Sequence, residues 1–378
     1  MEKEGTARIL SGNEAVVEGA IAAGVRFFAG YPITPSTEIL EEFSRRMPQV
    51  GGIFIQMEDE LGSLGAVMGA SAGGVKAITA TSGLGVALMA ENTAHAIMME
   101  IPCVIVDIQR VGPGAGLIFT TQGDTMFAKW GTPAGNEIIA LGPSTVKEVF
   151  ELTIKAVNLS ERFRIPVYLL SDAYLGHLRE KVELPDYEKV ERVERPKPSG
   201  PPEEYLSYEA DEAGIPAMAD FGTAYRPRMI SSTHDKAGRY APGVEGRRFL
   251  NQRLRNKILS RLDEIFMYEE MMVEDAEVAI FSYGICAGAA KAAVMEARAR
   301  GIKAGLFRPI TIWPFPTEAV RKLAERVKRI LVVELNFGQL VREVERASGG
   351  KAEVTFLGDD VGQLIPPEQI LNEIIRSR

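Results

Sequence analysis

The chain has 378 residues, 46% of them hydrophobic and 25% charged, with a formal net charge of −8. That length leaves room for two or three domains with sizeable cores, and the acidic balance argues against nucleic acid or an anionic membrane surface as a partner. Two cysteines, Cys103 and Cys286, and three scattered histidines, His95, His177 and His234, include no CxxC pair and no metal-ligand spacing. Neither an iron–sulfur cluster held by four cysteines nor a zinc site is therefore expected on this chain, and both thiols read as buried structural groups.

The opening MEKEGTARIL is too charged for a secretory signal. Residues 26–30 read as a strand, followed by a helix over 37–47, a strand over 53–57 and a helix of small residues over 59–72. A strand over 76–81, a helix over 85–99 and a β-branched strand over 102–108 continue the alternation. The apolar region 86–108 is broken by Glu91, His95, Glu100 and Asp107, so no transmembrane helix is expected and the chain reads as cytoplasmic. Residues 137–141, 144–164 and 167–171 give another strand, helix and strand, with Ser144 at the helix start and Lys147-Glu148 in its first turn. Continuous apolar strands between amphipathic helices predict an α/β fold with a parallel sheet covered on both faces.

The texture changes over 183–274. Prolines cluster (Pro185, Pro196, Pro198, Pro201, Pro202, Pro216) and periodicity is lost until a helix predicted over 247–268. This stretch reads as a linker and irregular excursion that straps two units together, with His234-Asp235 a locally bonded loop pair. A second α/β unit follows. It has strands at 278–283, 304–307 and 330–334 and helices at 284–299, 316–329, 337–347 and 367–377. The predicted domains are 1–182, 183–274 and 275–378.

Four segments carry chemistry. Tyr31-Pro32-Ile33-Thr34-Pro35 puts a hydroxyl and free backbone N–H groups at the mouth of an α/β unit, a candidate carboxylate-binding corner. Thr34 reads equally well as a helix-entry residue, with Pro35 in the first turn. Glu58-Asp59-Glu60 opens a helix, where acids complement the helix dipole. Arg110 stands at the C-terminal edge of a strand, where its planar fork would match a carboxylate, although such an arginine is also common on plain surface. Thr81-Ser82-Gly83-Leu84-Gly85 is a weak Gly-turn signal. Arg308-Pro309-Ile310 and the segment 334–339 read as strand-end packing.

Residues 31–37 closely resemble the YPITP signature of the α subunits of 2-oxoacid:ferredoxin oxidoreductases. The likeness extends to Ser11-Gly12-Asn13-Glu14-Ala15, residues 57–65, Gln122-Gly123-Asp124, and residues 166–172 with His177-Leu178-Arg179-Glu180. It implies a pyrimidine-binding-type domain of the thiamine diphosphate enzymes followed by a transketolase C-terminal-like α/β domain. It also implies a glutamate that bonds the cofactor's aminopyrimidine and shares a proton with it, which requires a dry site. Register with Gly65-Ala66-Val67-Met68-Gly69 assigns that role to Glu60, with Glu58 the alternative. The resemblance further implies substrate contacts from Thr34, Arg110, Tyr31 and Phe119, and cofactor contacts from Pro32, Ser82 and Gly83. The family usually has Pro where Leu84 stands.

Neither Gln122-Gly123-Asp124 nor Gly358-Asp359-Asp360 fits the Gly-Asp-Gly…Asn pattern that grips a metal-bound diphosphate. The resemblance therefore implies half a site. A β subunit would supply the diphosphate and Mg²⁺ grip, and partner chains the [4Fe-4S] clusters. The implied reaction is oxidative decarboxylation of a 2-oxoacid with coenzyme A, giving acyl-CoA, CO₂ and reduced ferredoxin. Overall likeness points to 2-oxoglutarate. The apolar segment Leu117-Ile118-Phe119, where that branch carries polar residues, resembles instead the branched-chain or aryl 2-oxoacid branches. A self-contained thiamine enzyme is disfavoured by the missing motif, and a non-catalytic regulatory subunit by the joint presence of Thr34, Glu60 and Arg110.

Overall fold

The computed structural model describes residues 6–133, 135–359 and 361–376. Its strands in chain order are β1 (Thr6–Ser11), β2 (Phe27–Gly30), β3 (Ile53–Gln56), β4 (Ala77–Thr81), β5 (Cys103–Gln109), β6 (Ile139–Leu141), β7 (Pro166–Asp172), β8 (Arg179–Leu184), β9 (Tyr268–Met271), β10 (Val278–Ser282), β11 (Ala304–Pro309), β12 (Thr311–Trp313), β13 (Arg329–Glu334) and β14 (Glu353–Gly358). A seven-stranded sheet runs β12-β6-β7-β5-β4-β2-β3, and a five-stranded one runs β14-β13-β10-β11-β9. β1 and β8 form a separate antiparallel pair.

The large sheet is parallel except for β12, and β2, β4, β5 and β7 are buried along their whole length. Strands covered on both faces can afford no alternation, which is why they read as unbroken apolar runs. The helices Gly12–Ala22 and Val146–Phe163 press together at Gly19, where a Cβ would lie 2.6 Å from the Phe150 carbonyl oxygen. The five-stranded sheet repeats the plan, with β9 antiparallel at its edge. The fold is therefore the expected α/β arrangement, and no helix among the described residues is long and apolar enough to cross a membrane.

Several expectations are corrected. The helix expected over 37–47 is Thr37–Arg46, followed by a 3-10 turn, Met47–Val50, closed by left-handed Gly51. The stretch 85–99 divides into Leu84–Leu88 and Ala90–Met99. Thr145, not Ser144, caps the helix Val146–Phe163, its hydroxyl accepting from the Glu148 N–H. The helix expected over 247–268 is Val244–Leu259, followed by a separate short helix, Leu262–Ile265, after which Met267 is held by hydrogen bonds with Ile310 and Thr311 and the chain continues as β9. Strands β1, β8, β12 and β14 were not anticipated. They are short, or polar edge strands with little burial to write a pattern. Asp360 and Ser377, which fall in two of the expectations above, lie outside the described residues.

The 183–274 stretch is fastened to the first sheet's helices by buried ions. Arg195 pairs with Glu161 at 2.6 Å, and Arg164 donates to the carbonyls of Glu100 and Pro216. Glu100 receives Arg253 at 2.5 Å and Lys257 at 2.9 Å. His234 lies against the Tyr208 ring with Nδ1 2.8 Å from the Ser232 carbonyl, while Asp235 closes its own turn. Both cysteines are buried and unpaired, and burial pushes their thiols up, Cys103 to about 12.

Candidate functional site at the carboxyl edge of the large sheet

β2 has β3 on one side and β4 on the other, so the chain reverses its winding direction there. Such a reversal opens a crevice outside the carboxyl ends of the strands. Residues 31–36 leave β2, residues 57–60 leave β3, and residues 82–85 leave β4 at this edge, with Arg110 just past the end of β5.

The first segment is a pinned corner. Asn13 donates from Nδ2 to the Pro35 carbonyl at 2.9 Å and to Glu38 at 3.1 Å. The Ser36 hydroxyl and N–H both donate to the Ile33 carbonyl. The helix starts only at Thr37, so Pro35 is buried ahead of the first turn and not within it. Tyr31 and Thr34 are exposed and Pro32 is half-buried. Arg110 donates from Nη1 to the Thr34 carbonyl at 2.7 Å, so the strand-end arginine and the corner form one unit.

The acidic run sorts itself by burial. Asp59 is the N-cap of Glu60–Ala72, its carboxylate accepting from the Gly62 N–H at 2.6 Å, which satisfies one orphan helix donor. Glu58 is exposed, whereas Glu60 is 4% exposed. The Glu60 side chain packs on Gly85. A Cβ there would sit 2.6 Å from Glu60 Oε1 and would also press on the Thr81 hydroxyl. Residue 85 is glycine because the carboxyl group needs that space. Between the alternatives Glu58 and Glu60, only Glu60 has the dry surroundings that the proton-sharing role demands.

Gly83 adopts φ +53, and a Cβ on it would lie 3.4 Å from Arg110 Nε. The hydroxyls of Thr81 and Ser82 and Nε of Arg110 are buried without a hydrogen-bond partner. Thr34, Gly83 and Arg110 are thus brought together, with Glu60 beside Gly85 at the other end of the same loop. Phe119 is placed differently. It lies on the returning arm of a hairpin in which Arg110 bridges Thr120, it leans on Gly362, and it lines a cavity of about 550 Å³ with Tyr174, His177, Leu178 and Leu364.

Some residues had gone unnoticed. Asn13 lay inside a quoted motif, but its role as the corner's pin needed the tertiary fold. Asp107 had a signal: an acid in the middle of a buried apolar strand. It is fully buried, and burial and the Asp124 charge push its carboxyl well above the usual range. Arg308 pairs with Glu148 at 2.7 Å, and Glu334 accepts the Leu340 and Val341 amides.

Comparison with known proteins adds the following. Residues 18–245 match the model of the pyruvate flavodoxin/ferredoxin oxidoreductase family, thiamine diphosphate-binding, and residues 276–370 that of pyruvate:ferredoxin oxidoreductase core domain II. The chain is 47% identical to 2-oxoglutarate synthase subunit KorA of Methanothermobacter thermautotrophicus, over 97% of this chain and 98% of that one. It is 36% identical to ketoisovalerate oxidoreductase subunit VorB of the same organism, over 97% of each. Among solved structures it superposes on the 2-oxoglutarate:ferredoxin oxidoreductase of Magnetococcus marinus, which has 2-oxoglutarate, coenzyme A and succinyl-CoA bound, with a TM-score of 0.93 at 33% identity. That match covers 98% of this chain and 65% of the other. A split-gene transketolase, at 12% identity and a TM-score of 0.53, shares the fold alone.

Proposed function

The chain belongs to the pyruvate flavodoxin/ferredoxin oxidoreductase family, and from that premise we propose that it is the catalytic α subunit of a thiamine-diphosphate-dependent 2-oxoglutarate:ferredoxin oxidoreductase. The observation that carries the reading is one crevice joining a buried carboxyl, Glu60, to an arginine tied to an exposed threonine, Arg110 and Thr34.

The residues present suit the cofactor. Glu60, dry and backed by Gly85, would hold the aminopyrimidine, and the partnerless hydroxyls of Thr81 and Ser82 would face it. Thiamine diphosphate, when bound, supplies the carbon nucleophile and electron sink that decarboxylation requires. Glu60 holds and returns a proton at its carboxyl oxygen. Arg110 offers its remaining N–H donors to the substrate's 1-carboxylate, which orients the bond to be broken. The exposed Tyr31, Leu61, Leu84 and Leu88 form the open wall that a β subunit would close, bringing the Mg²⁺–diphosphate grip and excluding water. Iron–sulfur clusters on partner chains would supply the electron path to ferredoxin.

End-to-end identity favours 2-oxoglutarate, at 47% against 36% for the ketoisovalerate relative. A branched-chain or aryl 2-oxoacid is the second reading, supported by the apolar segment Leu117-Ile118-Phe119, all three exposed. The test is coexpression with the β partner and CoA-dependent reduction of a viologen dye by 2-oxoglutarate, 2-oxoisovalerate and an aryl 2-oxoacid. A complex loaded with cofactor and clusters that turns over none of them ends the proposal, and a preference for 2-oxoisovalerate replaces the substrate. Glu60→Gln should assemble normally and lose turnover; full activity in that variant would remove Glu60 from the mechanism.

A further inference from the structure

A second cavity, of about 740 Å³, lies where the three parts of the chain meet. The helix Thr125–Trp130 and residues 135–137 line it from the first unit, the helix Val244–Leu259 from the excursion, and residues 313–315 with the helix Leu340–Ser348 from the second unit. Glu137 leads into β6 and Trp313 ends β12, and these two strands form the opposite end of the large sheet from β2, β3 and β4. The cavity is therefore separate from the crevice that holds Glu60 and Arg110.

Arg247, Asn251 and Arg255 leave the excursion helix at intervals of four residues, so they share one face over about 12 Å. Four cations line the cavity against two carboxylates, in a chain whose net charge is −8. Lys129 and Arg255 share Glu137, at 2.7 and 3.5 Å, and Arg346 has Glu343 at 2.7 Å. Among the described residues Arg247 meets only neutral groups, the Thr233 hydroxyl at 3.3 Å and the Met98 sulfur. The wall is short of negative charge. The chain's two tryptophans both line this same cavity. Trp313 is buried, its Nε1 donating to the Thr125 carbonyl at 2.8 Å. Trp130 is 56% exposed and yet held: Lys129 Nζ stands 5.4 Å from its ring centre, and Gly135, at φ +54, lies where a Cβ would come within 2.6 Å of the ring. An indole fixed in this way, with so much of its surface open, is a platform for stacking a flat ring.

We propose that this cavity binds a nucleoside diphosphate, its base stacked on Trp130 and its phosphates on Arg247 and Arg255. A base alone would leave the surplus positive charge unanswered, and phosphate alone would leave the indole open. Guanidinium forks match phosphate oxygens in pairs, and cavities of about 300–1,000 Å³ take ligands of this size.

Because both tryptophans line the cavity, tryptophan fluorescence of the purified full chain, excited beyond the absorption of adenine, reads its occupancy directly. ADP is expected to change that signal saturably with a half-point below about 1 mM, and adenosine and pyrophosphate should each bind at least about tenfold more weakly. Excess thiamine diphosphate should leave the ADP curve unmoved. By calorimetry, Arg255→Ala and Trp130→Ala should each weaken ADP about tenfold, the worth of one charge-assisted contact or one stacked ring. Arg255 is exposed and Glu137 keeps Lys129, so Arg255→Ala strands no buried charge. In the complex assembled with its β partner, Arg255→Ala should leave KM for coenzyme A within about twofold. Absence of a saturable ADP signal, pyrophosphate binding as tight as that of ADP, or displacement by thiamine diphosphate overturns the proposal. Unchanged ADP affinity in either variant does the same. A raised KM for coenzyme A would make this the cosubstrate's own site and overturns it too.

Discussion

Glu100→Gln tests whether the long excursion is held by charge. Glu100 is fully buried at the end of the helix Ala90–Met99, and its carboxylate meets Arg253 at 2.5 and 3.1 Å and Lys257 at 2.9 Å, both from Val244–Leu259. Burial alone would raise this carboxyl, yet Lys257 and Arg253 bring it from 4.5 down to about 2, a native-state preference for the anion of about 3 kcal/mol. Lys257 tells the opposite story: burial lowers its ammonium to about 8 although Glu100 pulls it up. The carboxyl is the better guide to the variant, because glutamine leaves two buried cations with no anion. Breaking such a pair costs about 3–5 kcal/mol. Replacing Lys257 by Met in the same chain should return part of that loss. The pH signs follow from the two shifts. The Glu100 contribution is complete above pH 4.5 and is lost as pH falls toward 2, whereas the Lys257 penalty is relieved as pH rises from about 8 toward 10.5. Urea unfolding at pH 7, at stepped acid pH and at stepped alkaline pH from about 8 to 10.5, with hydrogen exchange across residues 244–259, measures both. A Glu100→Gln midpoint within about 1 kcal/mol of the parent, with an unchanged acid limb, would refute the account.

Gly85→Ala should displace both the Thr81 hydroxyl and the Glu60 carboxyl, because the new methyl would come within 1.9 Å of Thr81 Oγ1 and 2.6 Å of Glu60 Oε1. The expected result is a stability loss of about 1–3 kcal/mol with loss of turnover in the assembled complex, and retained turnover would show that Glu60 does not need this position. Gln122→Ala removes the bonds that this side chain makes across to the second α/β unit, donating to the Tyr283 carbonyl and accepting from the Leu335 N–H, both at 2.8 Å and each worth about 1 kcal/mol. Hydrogen exchange at Leu335 should accelerate while β5 and β7 stay protected, and uniform exchange across the chain would mean that Gln122 holds nothing on its own.

How much of this was legible in the sequence depended on how local each signal is. The buried parallel strands announced themselves because two covered faces force a continuous apolar run, as in β5 and β7. Glu58 and Glu60 could be separated only by tertiary burial: both belong to the acidic run at the start of one helix, and it is Gly85, on another strand's loop, that encloses Glu60. β12 was hidden for a different reason. Three residues carry no period, and their partner β6 belongs to the other sheet's unit, some 170 positions away in the chain. The corner at residues 31–36 was readable as chemistry, but its geometry comes from Asn13, whose bond to Pro35 spans 22 positions. Phe119 was read by its place in a motif, and the hairpin that turns it onto Gly362 is formed by bridges that no periodicity encodes.

One group of unpaired polar atoms lies beside the corner at residues 31–36. The hydroxyls of Thr81 and Ser82 and Nε of Arg110 are buried without a hydrogen-bond partner at the carboxyl ends of β4 and β5. Each such group costs about 1–3 kcal/mol when nothing answers it. Close by, Gln109 bonds both the Ser171 carbonyl and the Asp124 N–H, and Thr120 bonds Asp172. On the proposed reading, Ser82 and Arg110 are left open for cofactor and substrate, with Glu60 and the Thr34–Arg110 pair bracketing the same spot, so that stability would be given up where the chemistry would be done, at the switch point of the large sheet.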